Sequence, residues 1–346
     1  MSRQLINSSQ DNKTKIKIYK MKILITGVHG FVGSNLVEAL KKEHTIYGLD
    51  IISPQKDGVR FTFSWDFLDK PGEIPEIDAI IHLAGKAHDT KNQSAADVYF
   101  KVNTGLTQKI FDWFLAQPSC KKFVFFSTAK AAADKVDGVL TEDVVPSPVG
   151  PYGESKIKAE EYILEKFKEF NSSKVQEDAS TGSADKQVYI LRPCMIHGPG
   201  NKGNLNLLYN VVKKGIPWPL GAFENRRTFT SVENICFAVN GVLTKDVPTG
   251  IYNMGDDEAL STNELIEEIC KSLGKKAHIW KLPKGLMNGV AKIGGALHLP
   301  LNPERLRKLT ENYISSNEKI KKALGVDKMP VDARKGLQRT LESFRA

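Results

Sequence analysis

The chain has 346 residues, of which 41% are hydrophobic and 26% are charged. It is therefore long enough for a large core and about two domains. No run approaches the ~18 consecutive apolar residues of a membrane-spanning helix, and no apolar stretch follows the polar first twenty residues, as a signal peptide would require. We predict a cytoplasmic protein without a membrane span, in which residues 1–20 form a flexible tail.

The net charge of +9 fits either a solvated lysine-rich surface or attraction of an anionic substrate such as a nucleotide diphosphate. The basic residues are spread along the chain without a recognisable nucleic-acid-binding motif, so we expect no nucleic acid partner. Four scattered cysteines, without a C-x-x-C pair or a nearby histidine at ligand spacing, indicate reduced thiols and no metal site. They are Cys120, Cys194, Cys236 and Cys270.

Apolar β-type runs alternate with amphipathic helical patterns over the first half of the chain. The predicted strands are 21–27, 44–51, 78–85, 121–129 and 187–193, and the predicted helices are 31–42, 98–117 and 154–170. This alternation predicts right-handed βαβ crossovers and an α/β fold with a doubly wound, mostly parallel sheet of the Rossmann type.

The composition changes twice later in the chain. Residues 171–186, NSSKVQEDASTGSADK, have almost no apolar content and predict a flexible insertion. Beyond about residue 194, Gly/Pro-rich loops such as HGPGNKGN separate shorter helices. We assign residues 21–193 to a Rossmann domain and residues 194–346 mainly to a smaller α/β substrate domain, partly interleaved with the first.

The stretch TGVHGFVG places Gly27, Gly30 and Gly33 between the first predicted strand and helix. The first glycine permits the tight turn, the second lets the backbone approach a pyrophosphate, and the third lets the helix pack close to the sheet. The helix N-terminus adds N–H groups and a positive dipole end. We therefore predict a dinucleotide site rather than a plain strand–turn–helix. Three neighbouring residues are expected to contribute: His29, Phe31 and Val32.

Asp50 closes the second predicted strand, 23 residues after Gly27. A carboxylate at this position accepts hydrogen bonds from the adenosine ribose hydroxyls and repels a 2′-phosphate. Asp50 therefore favours NAD over NADP, with a plain turn aspartate as the alternative.

The G-x-x-G-x-x-G spacing resembles the extended short-chain dehydrogenase/reductase superfamily, and the resemblance runs from about Met21 to the C-terminus. The segment HLAG resembles the family's strand end beside the adenine. This resemblance implies three further cofactor-binding residues: Leu83, Ala84 and Gly85. Asn103 matches a family asparagine with a mainly structural role.

Three tyrosine–lysine pairs have a spacing of four residues, so spacing alone does not identify a catalytic pair. They are Tyr152/Lys156, Tyr162/Lys166 and Tyr209/Lys213. In the family that the chain resembles, a Ser or Thr ends one strand and Y-x-x-x-K opens the next helix some two dozen residues later. Thr128 ends its predicted strand 24 residues before Tyr152. We therefore predict Tyr152, Lys156 and Thr128 as catalytic, and interpret the other pairs as helix packing.

Residues four apart share a helix face, so Lys156 is expected to bind the nicotinamide ribose and place positive charge near Tyr152. Nearby cations stabilise a phenolate whose ordinary pKa is about 10. Tyr152 could then remove a sugar hydroxyl proton while a hydride leaves for NAD. Thr128 would hydrogen-bond the same oxygen.

The resemblance points more narrowly to NAD-dependent nucleotide-sugar epimerases and dehydratases of the UDP-glucose 4-epimerase type, in bacterial surface-polysaccharide pathways. Dehydratases of this family carry Asp-Glu directly after the strand-end threonine, whereas this chain has Ala129 and Lys130. We therefore favour a UDP-sugar 4-epimerase that acts through a transient 4-keto sugar. The alternatives are an NAD(P)H-dependent reductase of a UDP-4-keto-6-deoxy sugar and a non-catalytic cofactor-binding regulator.

Segments of the C-terminal half resemble the family's substrate-binding segments. They imply that Asn204 and Arg227 contact the substrate diphosphate, with Arg226 as an alternative to Arg227, and that Arg305 contacts the nucleotide. A guanidinium fork suits phosphate oxygens. Relatives often dimerise through the two long helices, so a homodimer is possible, although the helix at 154–170 is heavily charged.

Overall fold

A computed structural model describes residues 20–70, 75–87, 95–176, 186–297 and 301–345. Its strands, numbered along the chain, are β1 (Lys22–Thr26), β2 (Thr45–Leu49), β3 (Val59–Phe63), β4 (Ala79–His82), β5 (Lys122–Phe126), β6 (Val139–Leu140), β7 (Gln187–Pro193), β8 (Met195–His197), β9 (Phe229–Ser231), β10 (Gly250–Met254) and β11 (Ile314–Ser315). Seven of them form one parallel sheet in the order β10-β7-β5-β4-β1-β2-β3. The predicted Rossmann-type fold is therefore confirmed.

The α-helices are α1 (Phe31–Leu40), α2 (Ala96–Tyr99), α3 (Leu106–Ala116), α4 (Ala129–Ala132), α5 (Pro151–Gln176), α6 (Asn204–Lys213), α7 (Val232–Thr244), α8 (Thr262–Ser272), α9 (Lys284–Ala296), α10 (Pro303–Thr310), α11 (Glu318–Leu324) and α12 (Ala333–Ser343). A π-helical turn, Phe100–Gly105, joins α2 to α3, and a 3₁₀ turn spans Trp65–Asp69. Apolar residues of α1, α7 and α11 pack on one face of the sheet. Those of α3 and α5 pack on the other face.

The structure departs from the predicted elements at helix α5 and at strands β3 and β10. Helix α5 continues to Gln176, six residues into the predicted insertion at 171–186, and residues 177–185 lie outside the described residues. The predicted tail lies outside them as well, apart from Lys20. Strand β3 was not predicted, because its half-exposed sequence VRFTF lacks a continuous apolar run. Strand β10 returns to the main sheet from beyond residue 194.

The register of the sheet determines where chemistry can occur. Thr26 lies opposite His82, and His82 lies opposite Phe125. The loops after β1, β4 and β5 therefore emerge side by side at the carboxyl edge. Ligands of open α/β sheets bind at this edge, beside the strand where the order reverses. Here that strand is β1, between β2 and β4.

A second core lies beyond the sheet and is built mainly from α6, α8, α9, α10 and α12. Its buried members include Leu205, Tyr209, Trp218, Ile269 and Leu337. In the part of the chain that the structure describes, no helix is both long and apolar enough to cross a membrane.

Candidate active site

The glycine loop after β1 has the shape that a pyrophosphate requires. Gly27 has a φ of +69°, in the left-handed region that favours glycine. A Cβ on Gly33 would lie 2.4 Å from the carbonyl oxygen of Gly27, so a larger residue would push α1 off the loop. Helix α1 begins at Phe31 without a side-chain N-cap, and its first N–H groups have no intrahelical partners. The loop therefore fits the phosphates of a dinucleotide.

Asp50 lies immediately after β2 and is fixed at the edge of the loop. One carboxylate oxygen accepts a hydrogen bond from the His29 N–H at 3.0 Å, and the other accepts one from the Ile51 N–H at 2.8 Å. Each carboxylate oxygen has a second lone pair for a further donor. This placement is compatible with the predicted ribose contact, which stays a prediction.

The segment after β4 is held to β1 by a single hydroxyl. Thr26 Oγ1 accepts hydrogen bonds from the N–H groups of Leu83 and Ala84, at 3.1 and 3.0 Å. Both of its lone pairs are then used, so its hydrogen is directed to His82 Nδ1 at 2.7 Å. The backbone of the predicted cofactor-binding segment is thus fixed against the glycine loop.

The ring of His82 links this segment to the π-helical turn. Its Nε2 lies 2.9 Å from Thr107 Oγ1, whose own hydrogen is directed to the Asn103 carbonyl at 2.6 Å. The ring therefore donates through Nε2 and accepts at Nδ1. Complete burial lowers the pKa of His82 well below its ordinary value, so the neutral ring that this network requires is the stable form.

Gly85 lies where the side chains of Asn103 and Lys156 meet. A Cβ on this residue would lie 3.0 Å from Asn103 Oδ1 and 3.2 Å from Lys156 Nζ. The Asn103 amide holds the backbone of Lys86 through two hydrogen bonds, at 2.7 and 3.1 Å, and donates to the Ser155 hydroxyl at 2.9 Å. Asn103 therefore joins the loop after β4 to α5, in agreement with the structural role that the resemblance implies.

Tyr152, Lys156 and Thr128 meet at the carboxyl end of β5. The Tyr152 phenol lies near the Thr128 hydroxyl, which acts on its pKa. Lys156 Nζ donates to the Phe126 carbonyl at 2.8 Å, directly below the strand end. The Tyr152 ring also contacts the ring of Tyr99 edge-on, with 6.5 Å between centroids. The structure thus brings the three predicted catalytic residues together.

Burial shifts the two titratable groups of this site in opposite directions. Burial raises the pKa of Tyr152, an effect that the Thr128 hydroxyl opposes and that the neighbouring Tyr99 reinforces. Burial lowers the pKa of Lys156 to about 8, although the charge of Glu160 raises it in part. The phenol is therefore protonated at neutral pH in this structure, and the ammonium retains its charge there.

A buried ion pair that was not predicted lies next to the predicted catalytic residues. The guanidinium of Arg192 contacts the Glu160 carboxylate through three hydrogen bonds of 2.5–3.1 Å. The Ser127 hydroxyl donates to the same carboxylate. Arg192 is a charged residue in the otherwise apolar strand sequence VYILRP, and this irregularity was the available signal.

The other two tyrosine–lysine pairs are placed differently. Tyr162 donates to the Asp112 carboxylate at 2.7 Å, and Lys166 pairs with Glu169 at 2.8 Å on the outer part of α5. Tyr209 is buried in the second core, whereas Lys213 is exposed. Both arrangements agree with the interpretation as helix packing.

Cationic side chains lie around α4, the short helix whose N-cap is Thr128. Lys130 pairs with Asp134 at 2.9 Å, and Arg307 reaches the same carboxylate at 3.2 Å. Arg227 forms backbone bridges with Tyr313, whose hydroxyl donates to the Ala133 carbonyl at 2.9 Å.

The predicted substrate residues differ in exposure. Arg227 is half-buried, donates to the Lys308 carbonyl and has a pKa lowered by burial. Asn204 and Arg305 are exposed in the first turns of α6 and α10. The contacts of these residues with a substrate stay predictions.

The family model for the NAD dependent epimerase/dehydratase family matches residues 23–255. The chain is 30% identical to UDP-glucose 4-epimerase of Vibrio cholerae over 278 residues, covering 75% of this chain and 78% of the relative. It is 26% identical to dTDP-4-dehydro-6-deoxyglucose reductase of Escherichia coli over 276 residues, covering 74% and 83%.

Among solved structures, UDP-glucuronic acid 4-epimerase from Bacillus cereus in complex with NAD has a similar fold. Its TM-score is 0.70 at 21% identity, covering 94% of this chain and 99% of that one. The family model spans both the glycine loop and the tyrosine–lysine helix, and the loop geometry fits the dinucleotide that the family name specifies. The predicted resemblance and the predicted cofactor are thereby confirmed: the chain belongs to the NAD-dependent epimerase/dehydratase family, and its cofactor is NAD.

Proposed function

We propose that this enzyme is an NAD-dependent UDP-sugar 4-epimerase, acting on UDP-glucose and UDP-galactose or on their N-acetylhexosamine equivalents. The observation that carries the proposal is that the Tyr152 phenol lies near the Thr128 hydroxyl, while the buried Lys156 ammonium donates to the Phe126 carbonyl at the end of the same strand. A pair of hydroxyls can hold one sugar oxygen both as an alcohol and as a ketone, as epimerisation at a single carbon requires.

In the proposed reaction Tyr152 takes the proton of the sugar 4-hydroxyl, and Thr128 hydrogen-bonds the same oxygen. NAD held at the glycine loop and by Lys156 would supply the hydride chemistry at that carbon, namely its oxidation and the return of the hydride to the opposite face of the sugar. Tyr152 returns the proton to the ketone oxygen, so no net oxidation results. Because burial raises the pKa of the phenol, its base form needs a nearby cation, and Lys156 is the residue that we assign to this role.

The residues that follow Thr128 favour epimerisation over dehydration. Water removal requires a general acid and base next to the ketone, and the chain has Ala129 and Lys130 there. Ala129 is buried and cannot exchange protons, and Lys130 is paired with Asp134. A carboxylate pair of the dehydratase kind is therefore missing from these two positions.

Two further assignments belong to this proposal. Arg227 is half-buried beside Tyr313, which suits a guanidinium that binds a substrate diphosphate. Arg226 instead contacts the Ala259 carbonyl at 3.0 Å and the Glu264 carboxylate at 3.3 Å, and this ion pair already offsets its charge. We expect Arg227→Leu to raise KM for the UDP-sugar at least about tenfold, and Arg226→Leu to change KM much less.

The catalytic assignment is tested with Tyr152→Phe and with Tyr162→Phe as the matched control on the same helix. Wild type and both variants are incubated with NAD and UDP-glucose or UDP-N-acetylglucosamine, and NMR measures the epimers. We expect Tyr152→Phe to lose about 10²–10⁴-fold in kcat and Tyr162→Phe to retain activity. Full activity of Tyr152→Phe would contradict the assignment and would support a non-catalytic regulator.

A 4-keto-sugar reductase is the second candidate, because the similar E. coli protein is named as a reductase. The two reactions differ in their use of cofactor. An epimerase retains NAD through purification and interconverts sugars without net NADH change. Stoichiometric NADH consumption on a UDP- or dTDP-4-keto-6-deoxy sugar, together with absence of epimerisation, would reject the epimerase in favour of the reductase.

A further inference from the structure

Helix α9 has two rows of apolar residues, of which one is buried and the other is exposed to solvent. Met287, Ala291 and Gly294 are buried against the second core. The neighbouring stripe consists of Leu286, Val290, Ile293 and Leu297, and these side chains are 44–64% exposed. Their spacing of i, i+4, i+7 and i+11 places all four on one side of the helix axis, along about 16 Å. We call these four residues the apolar stripe.

The sequence around the apolar stripe is strongly basic. Residues 269–303, which we call the basic segment, contain no aspartate or glutamate, and they contribute +6 to the net charge of +9. The lysines are Lys271, Lys275, Lys276, Lys281, Lys284 and Lys292. Trp280, four residues before α9, is 54% exposed. A half-exposed tryptophan beside lysines is a combination typical of the boundary between lipid headgroups and acyl chains.

We propose that α9 docks on an anionic membrane surface, with the apolar stripe entering the headgroup region and the lysines of the basic segment contacting lipid phosphates. Binding of this kind needs an apolar helix face and neighbouring cations, and its strength increases with both. Lysine side chains suit such a position because their apolar stems cover hydrocarbon while their ammonium groups stay in water. The chain lies on the membrane surface and does not cross it.

A second copy of the chain fits this surface less well. A two-fold symmetric dimer brings the same patch of both subunits together. The basic segments would then face each other without a carboxylate in either of them. A surface of lipid phosphates supplies the missing negative charge, so charge complementarity favours the membrane.

The proposal is tested by co-sedimentation of the full chain with large vesicles. One set contains about 30% phosphatidylglycerol in phosphatidylcholine, and the other contains phosphatidylcholine alone. We expect the protein to partition to the anionic vesicles at least about fivefold more strongly than to phosphatidylcholine alone. Raising NaCl from about 50 to about 500 mM should weaken the binding without abolishing it, because salt screens the lysines but not apolar contacts.

Variants separate the two contributions. Leu286→Gln/Ile293→Gln should reduce partitioning at least about tenfold, whereas Leu207→Gln/Val211→Gln, on two exposed aliphatic residues of α6, should leave it unchanged. Lys281→Gln/Lys292→Gln, which removes two of the six lysines, should weaken the salt-sensitive part of the binding without removing it. Circular dichroism and NAD binding check that each variant is folded.

Three results would overturn the proposal. The wild-type protein could remain in the supernatant with both kinds of vesicle. Leu286→Gln/Ile293→Gln could bind the anionic vesicles as strongly as the control Leu207→Gln/Val211→Gln does. Light scattering could show a dimer that Leu286→Gln/Ile293→Gln dissociates, which would identify a second copy as the occupant of the apolar stripe. The proposal does not depend on which sugar the enzyme converts.

Discussion

Lys156 makes the stability of this fold depend on pH, because its ammonium is buried. Burial lowers its pKa from the ordinary 10.5 to about 8, and each pKa unit corresponds to about 1.4 kcal/mol. Keeping the ammonium charged in the fold therefore costs about 3 kcal/mol at pH 7. Between pH 8 and pH 10.5 the unfolded chain binds more protons than the folded one, so the cost disappears and stability rises with pH.

Replacing Lys156 by methionine removes this dependence. The variant avoids the charge burial but leaves the Phe126 carbonyl without its donor, a loss of about 1–3 kcal/mol. At pH 7 the variant should therefore equal the wild type in stability or exceed it by up to about 2 kcal/mol. Integrating the two pKa values, the variant's stability relative to wild type should fall by about 1.3 kcal/mol from pH 7 to pH 9.

The measurement is urea denaturation of NAD-free protein at pH 7, 8 and 9, followed by tryptophan fluorescence. NAD must be removed first, because bound cofactor adds its own stabilisation. Lys158→Met, at an exposed position on the same helix, is the control, and its difference from wild type should be constant over this range. A constant difference for Lys156→Met would refute the reasoning, since it would mean that burial does not disfavour the ammonium.

Three more predictions concern neighbouring groups. Gly33→Ala should weaken NAD binding at least about tenfold by displacing α1 from the loop, measured by calorimetry, whereas Gly285→Ala has open space around its Cβ and should not. Glu160→Gln should lower the free energy of unfolding by about 3–5 kcal/mol, because the guanidinium that it holds becomes a buried unpaired charge; the exposed Glu161→Gln should change it by less than about 0.5 kcal/mol. Asp50→Ala should lower the Kd for NADP relative to the Kd for NAD, because the carboxylate that favours NAD is removed. An unchanged ratio of the two Kd values would count against the ribose contact.

Much of the first half of the fold was predictable because each element has a local signal. The buried runs at β1, β4, β5 and β7 are nearly continuous in apolar residues, as parallel strands covered on both faces require. The glycine loop was predictable for a similar reason. Gly27 has a positive φ and Gly33 packs directly against the backbone of the loop, and both positions require glycine.

Elements that depend on distant partners were harder to predict. Strand β10 lies about sixty residues beyond β7 in the chain and is defined by pairing with it, which no local pattern reveals. Helix α5 continues through NSSKVQ, although serine and asparagine have weak helix propensity, because propensity is a weak signal that the surrounding structure can override. The apolar stripe on α9 also has the same periodicity as a core stripe, so only its exposure distinguishes the two.

A third residue also distinguishes the predicted catalytic pair from the other two in the sequence. Tyr152, Lys156 and Glu160 are spaced four apart and therefore follow one face of α5. Glu160 raises the pKa of Lys156 against the effect of burial, and its carboxylate also holds the Ser127 hydroxyl beside Thr128. The residues that follow the other two pairs at the same spacing are Phe170 and Pro217. A buried lysine that must stay charged needs a buried carboxylate near it, so the pattern Y-x-x-x-K-x-x-x-E has a physical reason that Y-x-x-x-K alone lacks.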